Sequence, residues 1–263
     1  MPRIEAEDLA IEFPLYHHNA RSLKKRLFDG ATRRVKQDAE SRVVVAALSG
    51  LSFAIGKGER VALVGSNGAG KTTLLRTIAG IYEPVAGRLL VEGEIGSLID
   101  PGAGMNPLLT GRENIVLRGL YRGMKEAEGR ALANEIAEFS GLGEFIDLPI
   151  RGYSAGMNVR LSFAMATAIT PEILLMDEWF LAGDANFMAK AEERLTRLVA
   201  GADILVIATH DMGIVRQWCT RAIKLDAGRI VADGPVAEVL GPEPAPNQVP
   251  KTLSPASPSP GRI

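Results

Sequence analysis

The sequence predicts an α/β fold with a largely parallel sheet, and three observations support this. Uniformly apolar runs at residues 173–176 and 204–208 suit strands that are buried on both faces of a sheet. Segments with helical spacing of apolar residues lie between the predicted strands. A glycine-rich loop at residues 65–73 separates the apolar run 61–64 from a helical segment. Alternation of strands and helices around such a loop is typical of α/β proteins.

The other elements follow in chain order. Apolar alternation and turn residues predict strands at 3–13, 43–48, 51–55 and 88–99, and a hairpin of 222–225 with 229–232. Helical spacing predicts helices after the glycine-rich loop, from residue 110 to 140, around 188–198 and from residue 235. Residues 241–263 hold seven of the fifteen prolines, and we expect this tail to be disordered.

Composition restricts the class of protein. The 263-residue chain is 46% hydrophobic and 23% charged, as expected for one large globular domain or slightly more. A formal net charge of −1 gives no general attraction to nucleic acid. Cys219 is the single cysteine, which excludes an intrachain disulfide and fits a reducing, cytoplasmic setting. No run approaches about 18 apolar residues, so we expect membrane association only through a partner or a surface patch.

The loop at residues 65–73 matches the pattern G-x-x-x-x-G-K-[ST] of a phosphate-binding loop. Glycines allow backbone N–H groups to surround an anion, and the N-terminus of the following helix adds positive potential. We expect Lys71 to reach the β- and γ-phosphates of a nucleotide and the Thr72 hydroxyl to hold Mg²⁺. The alternative is a glycine-rich strand-to-helix turn with a lone lysine.

Two acidic residues follow the apolar run at 173–176. Asp177, at the end of a buried strand, can hold the Mg²⁺ that bridges nucleotide phosphates, generally through water. Glu178 can polarise a water molecule for attack on the γ-phosphate. Strands often end in polar residues, so the pair is weak evidence alone. Because it follows a phosphate-binding loop by about a hundred residues, it favours nucleotide hydrolysis.

Two further segments complete an ordered set of motifs. Residues 153–157, Tyr-Ser-Ala-Gly-Met, precede a helical run and so predict a helix N-terminus, another natural anion site, although alone they are only a loop before a helix. His210 lies two residues after the buried run at 204–208, and the alternative is an ordinary surface histidine. In this order of motifs, the chain resembles the ATP-binding subunits of ABC transporters over about residues 4–240. Residues 153–157 match the signature loop, residues 181–184 match the D-loop and His210 matches the switch histidine.

The resemblance implies a fold and a domain organisation. The fold is a P-loop NTPase of the ABC ATPase type, with a mostly parallel core sheet, an antiparallel β subdomain and a helical subdomain. The ATP-binding domain would span residues 1–240 and the helical subdomain about 100–165. A basic insert would span about 17–42, and residues 241–263 would be the proline-rich tail.

The resemblance also implies a role for each matching residue, with ATP and Mg²⁺ as cofactors. Asp177 would hold the Mg²⁺ shell, Glu178 would be the general base, and His210 would sense the γ-phosphate. Ser154 and Gly156 would close on the γ-phosphate held by a second copy of the chain. The implied nucleotide-binding residues are Ser66, Asn67, Gly68, Ala69, Gly70, Lys71, Thr72, Thr73, Ser154, Ala155, Gly156, Asp177 and Asp184, and the implied catalytic residues are Lys71, Glu178 and His210.

Two positions are less certain matches. The resemblance implies an aromatic residue that stacks on adenine, for which Phe13 fits best and Tyr16 is the alternative, although Phe13 could simply pack in the core. A glutamine that touches Mg²⁺ in ABC proteins is missing, because this chain has no glutamine between Gln37 and Gln217. Asp100 lies in that region and is a further candidate Mg²⁺ ligand.

Several deviations resemble the polysaccharide-export branch of the family. They are residues 110–115, the loop 153–157 in place of Leu-Ser-Gly-Gly-Gln, and Gly183-Asp184. The insert resembles this branch too, and its basic residues could meet anionic lipid headgroups or form a solvated loop. These basic residues are Arg21, Lys24, Lys25, Arg26, Arg33, Arg34 and Lys36.

The implied function is ATP hydrolysis that drives export of a lipid-linked polysaccharide, of the O-antigen, capsule or teichoic acid type. Two copies would sandwich two ATP molecules head to tail and act on two copies of a transmembrane permease subunit. The protein would lie at the cytoplasmic face of the inner membrane, with no nucleic-acid partner. Three alternatives remain: another exported cargo, a soluble ABC ATPase that acts on DNA or ribosomes, and a module that binds ATP without hydrolysis.

Overall fold

A computed structural model describes residues 1–14, 35–37, 43–177 and 185–241, with only the backbone described for 35–37 and 185. The strands in these ranges are β1 (Arg3–Pro14), β2 (Val35–Gln37), β3 (Val43–Gly56), β4 (Arg60–Val64), β5 (Ala86–Glu92), β6 (Ile95–Leu98), β7 (Ile173–Asp177), β8 (Ile204–Ala208), β9 (Arg221–Asp226) and β10 (Arg229–Pro235). The α-helices are α1 (Lys71–Ile78), α2 (Gly111–Tyr121), α3 (Glu126–Ser140), α4 (Ala155–Ala166), α5 (Ala185–Gly201), α6 (Met212–Trp218) and α7 (Val236–Leu240).

The core of the molecule is a six-stranded sheet in the order β10-β9-β4-β8-β7-β6. Its strands pair in parallel, except for the antiparallel β9–β10 hairpin. Every residue of β8 is buried, as are the first four residues of β7. These apolar strands are covered on both faces, which is why their sequences do not alternate. The predicted α/β fold with a mostly parallel sheet is therefore confirmed.

A second sheet, in the order β2-β3-β1-β5, is antiparallel. The sequence pattern predicts two strands at 43–48 and 51–55, but the structure has one continuous strand, β3. Gly50 adopts φ +64°, and the pairing with β1 shifts register nearby, between Leu9 and Ile11. The strand therefore absorbs the glycine as an irregularity instead of ending there.

The two faces of the core sheet bury different partners. From β4, Val61 and Leu63 pack in a cluster that includes α1 and the antiparallel sheet. Ala62 and Val64 point to the other face and pack in a cluster that includes α5 and α6. This alternation follows from the period of two in a strand. Alternate residues of β4 thus pack against the layers on opposite faces of the sheet. The loop that follows β4 therefore starts from a strand that is packed on both sides.

The helices α2, α3 and α4 form a third cluster around Ile115, Ile136 and Leu161. Three phenylalanine rings join this helical subdomain to the core, because Phe139 of α3, Phe163 of α4 and Phe187 of α5 contact each other with centroids 5.9 Å apart. α2 begins at residue 111 and α4 ends at 166. The bounds of 100–165 for the subdomain stay a prediction.

Candidate nucleotide site

The loop between β4 and α1 is a shallow open cradle. Ser66, Asn67 and Gly68 are exposed, whereas Ala69 is buried and anchors the loop. The Ala69 N–H donates to the Ser66 carbonyl at 3.0 Å, and the Ala69 carbonyl accepts from the Gly228 N–H at 2.9 Å. The exposed half of the loop is therefore available to a ligand, while its buried half is tied to the β9–β10 turn.

Two glycines make this cradle possible. Gly65 has φ +147°, and a Cβ there would lie 2.2 Å from the Leu225 carbonyl oxygen. Gly70 has φ +113°, and a Cβ there would lie 2.8 Å from a methyl carbon of Leu48. Any side chain at either position would collide with a neighbouring strand, in a backbone conformation that only glycine adopts freely. The loop motif thus reflects close packing as well as ligand access.

Lys71 is buried, and its ammonium group lies inside the loop. Its Nζ donates to the Gly65 carbonyl at 2.8 Å and to the Ser66 carbonyl at 3.1 Å. A fixed positive charge is therefore held next to the exposed part of the cradle. The N–H groups of the first turn of α1 have no partner within the helix, and they add to the positive potential. Thr72 and Thr73 lie half-buried in that same turn.

The register of the core sheet brings the acidic motif to the same edge as this loop. Leu63 of β4 pairs with Ala208 of β8, and Ala208 pairs with Asp177 of β7. These three residues form one level across three parallel strands. The segments that follow each of them therefore leave the sheet side by side, which is where ligands bind in open α/β sheets. Asp177 is half-buried at this level.

His210 leaves the same edge after β8. It is exposed, and the neighbouring Asp211 caps α6 by accepting from the N–H groups of Gly213 at 2.8 Å and Ile214 at 3.2 Å. The Thr209 hydroxyl accepts from the Asp211 N–H at 3.1 Å. These bonds fix the turn that carries the histidine. The predicted switch residue thus lies on a defined segment at the edge where the phosphate loop begins.

The residues predicted for Mg²⁺ supply suitable donors. The Thr72 hydroxyl and the Asp177 carboxylate are hard oxygen ligands of the kind Mg²⁺ prefers. Asp100, the additional candidate, lines a cavity of about 360 Å³ together with Asp177. Within the described ranges, no group of three His, Cys, Asp or Glu side chains is clustered as a metal site.

The signature loop is held by the first residues of α4. Ser154 is the N-cap, and its hydroxyl accepts from the Met157 N–H at 3.2 Å. Ser154, Ala155 and Gly156 are exposed. Ser154 and Gly156 line a cavity of about 610 Å³ whose other walls come from residues 141–145 and from α4. The loop therefore presents a helix N-terminus to the outside of the protomer, as an anion site requires.

Tyr153 stands where the usual signature sequence, Leu-Ser-Gly-Gly-Gln, begins with leucine, and its contacts give this substitution a structural reason. Its ring is buried, and its hydroxyl donates to the Phe145 carbonyl at 2.6 Å. A Cβ on Gly111 would lie 2.7 Å from that hydroxyl oxygen, so the glycine leaves room for the ring. Burial raises the pKa of Tyr153 above its usual range. A tyrosine here locks the signature loop to the start of α2.

Residues 110–115 are structural rather than open to ligand. Thr110 and Glu113 form a capping box at the start of α2. The Arg112 guanidinium donates two hydrogen bonds to the carboxylate oxygens of Asp147, at 2.7 Å and 3.2 Å. The buried Asn114 side chain bonds to backbone groups of residues 106, 109 and 110. This motif therefore holds the loop before α2 and the 3₁₀ turn at Gly143–Asp147 in one arrangement.

Phe13 is half-buried and packs against the core, and its ring meets the edge of Tyr82 at a centroid distance of 5.0 Å. Its role at adenine stays a prediction. Tyr16, Glu178 and Asp184 lie outside the described residues, as does the basic insert apart from the backbone of β2.

Several residues at this site belong to no sequence motif. Gly228 contacts the phosphate loop, and Tyr82 contacts both Phe13 and Arg76. Arg118 of α2 donates to the Pro101 carbonyl at 2.8 Å, next to Asp100. The sequence predicts a turn at 226–228, which includes Gly228. It does not predict that Gly228 contacts the phosphate loop, because the two segments are far apart in sequence.

Comparison with known proteins agrees with this geometry. Residues 48–181 match the family model described as ABC transporter. The chain is 43% identical over 225 residues to the O-antigen export system ATP-binding protein RfbE of Yersinia enterocolitica, covering 85% of this chain and 94% of the relative. It is 43% identical over 206 residues to RfbB of Myxococcus xanthus, an O-antigen export system ATP-binding protein. That match covers 78% of this chain but 47% of the longer relative.

Solved structures support the fold independently. A dimeric ATP-binding cassette in a post-hydrolysis state with ADP and phosphate superposes with a TM-score of 0.64 at 22% identity. The match covers 89% of this chain and 98% of that one. The motif order, the shared sheet edge, the matched family model and a relative of nearly equal length therefore lead to one conclusion: this chain belongs to the ABC transporter family.

Proposed function

We propose that this chain is the ATP-hydrolysing subunit that powers export of a lipid-linked polysaccharide through a separate transmembrane subunit. The observation that carries the ATPase role is the level formed by Leu63, Ala208 and Asp177, which sets the phosphate loop beside the acidic strand end. The similarity to O-antigen export proteins supports the cargo. Lipid-linked glycans of the O-antigen, capsule or teichoic acid type are the cargo class.

The proposed chemistry is hydrolysis of ATP with Mg²⁺. Lys71 and the N–H groups of the loop bind the phosphates and stabilise the charge that develops during transfer. Thr72 and Asp177 would hold Mg²⁺, which would supply positive charge that neutralises the phosphates. Glu178 orients the attacking water and accepts its proton, while His210 contacts the γ-phosphate. Phe13 or Tyr16 stacks on the base.

The proposed functional unit is a head-to-tail dimer. Ser154 and Gly156 are exposed, and the loop that carries them caps α4. In the proposal, this loop of one copy completes the γ-phosphate site on the phosphate loop of the other, and Asp184 lies at the same interface. One structural neighbour is described as dimeric, which supports a dimer as the functional unit. ATP then favours the closed dimer, and hydrolysis releases it.

The proposed membrane partner docks beside the helical subdomain. A groove of about 450 Å³ lies between α1, β6 and α2, and its walls include Arg76, Ile81, Tyr82 and Arg122. Ile81 is exposed and apolar, so the groove can take an amphipathic helix. Within the described ranges, no helix is long and apolar enough to cross a bilayer. In the proposal, two permease copies hold the dimer at the cytoplasmic face of the inner membrane.

Reconstitution tests this function. The chain is purified with its transmembrane subunit and placed in proteoliposomes, with Lys71→Met as the inactive control. We expect ATP hydrolysis that lipid-linked glycan stimulates, together with glycan transfer across the bilayer. Stimulation by a peptide or drug instead of glycan would assign another cargo. Hydrolysis without any transport would remove the export role.

A further inference from the structure

Ile99 and Asp100 lie in the region where other ABC proteins have the glutamine that this chain lacks. These two residues form a wall shared by two cavities. Ile99 and Asp100 line the cavity of about 360 Å³ that contains Asp177 and Asn158. The same two residues line the groove of about 450 Å³ that contains Tyr82, Arg118 of α2 and Arg122 just after that helix. A shift of this wall therefore changes both spaces together. One space leads to the acidic strand end, and the other is the proposed docking groove.

Arg118 holds this wall from the side of α2. Its guanidinium donates to the Pro101 carbonyl at 2.8 Å. Burial lowers the pKa of Arg118, as does the nearby positive charge of Arg122, while the charge of Asp100 acts in the opposite direction. A guanidinium stays charged in proteins, so its desolvation must be offset by nearby negative or polar groups. Asp100 is the carboxylate on this wall that favours the charged arginine.

The wall also has its own local turn. The Ala103 N–H donates to the Asp100 carbonyl at 3.0 Å, and the Ile99 N–H donates to the Ser97 hydroxyl at 3.3 Å. These bonds connect residues near each other in sequence. The bond from Arg118 to the Pro101 carbonyl instead connects the wall to a different element, α2.

The charges of the groove indicate what would act there. Arg76, Arg118 and Arg122 line it together with a single carboxylate among its described walls, that of Asp100. An acidic side chain that enters this groove is therefore attracted by the arginines. It also competes with Asp100 for the same positive charges.

We propose that Arg118 is a positioning residue for Asp100, and that an acidic side chain of the membrane partner displaces Asp100 by binding Arg118 and Arg122. Asp100 then moves relative to Asp177 across the shared wall. The chain thereby couples occupancy of the groove to the Mg²⁺ side of the nucleotide site without a glutamine. The partner's role in this step rests on the proposed function, whereas the link between Arg118 and Asp100 belongs to this chain alone.

A double-mutant cycle on the purified chain tests that link. Binding of a fluorescent ATP analogue is measured as a function of Mg²⁺ for Arg118→Met, Asp100→Asn and the double variant. We expect each single variant to change the half-saturating Mg²⁺ concentration by about fivefold, a typical size for coupled neighbours, with no further change in the double variant. Arg118→Lys keeps a charged donor and should restore at least half of the effect.

A matched control separates this link from a general effect of losing an arginine. Arg130 lies on α3 and forms an exposed ion pair with Glu126 at 2.6 Å. Arg130→Met should leave the Mg²⁺ dependence unchanged, and thermal unfolding should show all variants folded. Additive effects of the two single variants, or no effect of Arg118→Met, would overturn the proposal. Absence of Mg²⁺-dependent binding to the unmodified chain would overturn it together with the ATPase role.

The complex with the membrane subunit tests the coupling step. The ratio of partner-stimulated to basal ATP hydrolysis should fall about fivefold in Arg118→Met and stay unchanged in Arg130→Met. An unchanged ratio in Arg118→Met, in a complex whose unmodified form is stimulated, would overturn the partner's part of the proposal. If the unmodified complex shows no stimulation, the proposed transport function and the proposed displacement of Asp100 by the partner are both contradicted. The link between Arg118 and Asp100, which the double-mutant cycle tests on the chain alone, would not be affected.

Discussion

The N–H of Gly228 donates a hydrogen bond to the carbonyl oxygen of Ala69, with 2.9 Å between the two atoms. The Gly228 carbonyl in turn accepts from the Ser49 N–H at 2.9 Å. The turn of the C-terminal hairpin is thus fixed between the phosphate loop and β3. The phosphate loop, which we propose binds the nucleotide, therefore depends on a strand pair near the end of the described chain.

Gly228→Ala should weaken both the fold and nucleotide binding. A Cβ at this position would lie 2.4 Å from the Ala47 carbonyl oxygen, and φ is +78°. We expect a loss of about 1–3 kcal/mol in the free energy of unfolding. Gly50→Ala is the control, because Gly50 also has positive φ but no atom within 4 Å of the added Cβ. Equal nucleotide affinity in both variants, measured by titration, would contradict the role of the turn.

Tyr153→Phe should destabilise the helical subdomain. The change removes a buried hydrogen bond of 2.6 Å to the Phe145 carbonyl, which costs about 1–2 kcal/mol. Tyr121→Phe is the matched control, because Tyr121 is 75% exposed. Chemical denaturation measures both variants. A loss of the same size in the two would mean that the Tyr153 hydroxyl does not anchor the signature loop.

Arg221→Met should destabilise the junction between the two sheets. Arg221 bonds to Asp233 at two points, each 2.7 Å, to Glu59 at 2.7 Å and to the Ala54 carbonyl at 2.8 Å. These acidic partners raise the pKa of Arg221. We expect a loss of about 2 kcal/mol, less than for a fully buried pair because the group is partly exposed. Arg197→Met, at an exposed pair 4.0 Å apart, should change stability by less than about 0.5 kcal/mol.

Acid should weaken the arrangement at the start of α2. Backbone and hydroxyl donors of Thr110 lower the pKa of Glu113, and Arg112 lowers the pKa of Asp147. Since these pKa values are lower in the folded state, the unfolded chain binds protons first as the pH falls. The stabilisation is present above the unfolded pKa values, near pH 4, and is lost below them. Unfolding of Glu113→Gln between pH 6 and pH 3 should depend less on pH than that of the unmodified chain.

The edge of the core sheet was predictable because apolar runs of similar length end in motif residues. The register was not predictable, because Leu63, Ala208 and Asp177 stand at different distances from the ends of their apolar runs and only the strand pairing places them at one level. The continuity of β3 was not predictable, because Ser49-Gly50 resembles a turn in sequence and only the pairing with β1 shows that the strand continues.

The supports of the site were not predictable from the sequence alone. Arg118 is four residues from Arg122 on a helix and resembles an ordinary surface position. Its bond to the Pro101 carbonyl depends on how α2 packs against the loop after β6. The hydroxyl of Tyr153 likewise finds its partner only once the 3₁₀ turn at Gly143–Asp147 is in place. Helical or strand periodicity in the sequence cannot predict such contacts, because they join segments that are distant in the chain.

We propose that each ATP site is shared between two copies of the chain, with the phosphate loop of one copy and the signature loop of the other. Mixing two inactive variants tests this proposal most directly. Lys71→Met damages the phosphate loop of its own copy, and Ser154→Arg damages the signature loop of its own copy. In a head-to-tail dimer, a mixed pair keeps one intact site, so an equal mixture should regain about a quarter of the unmodified ATPase activity. A mixture no more active than its two components would contradict a site shared between copies.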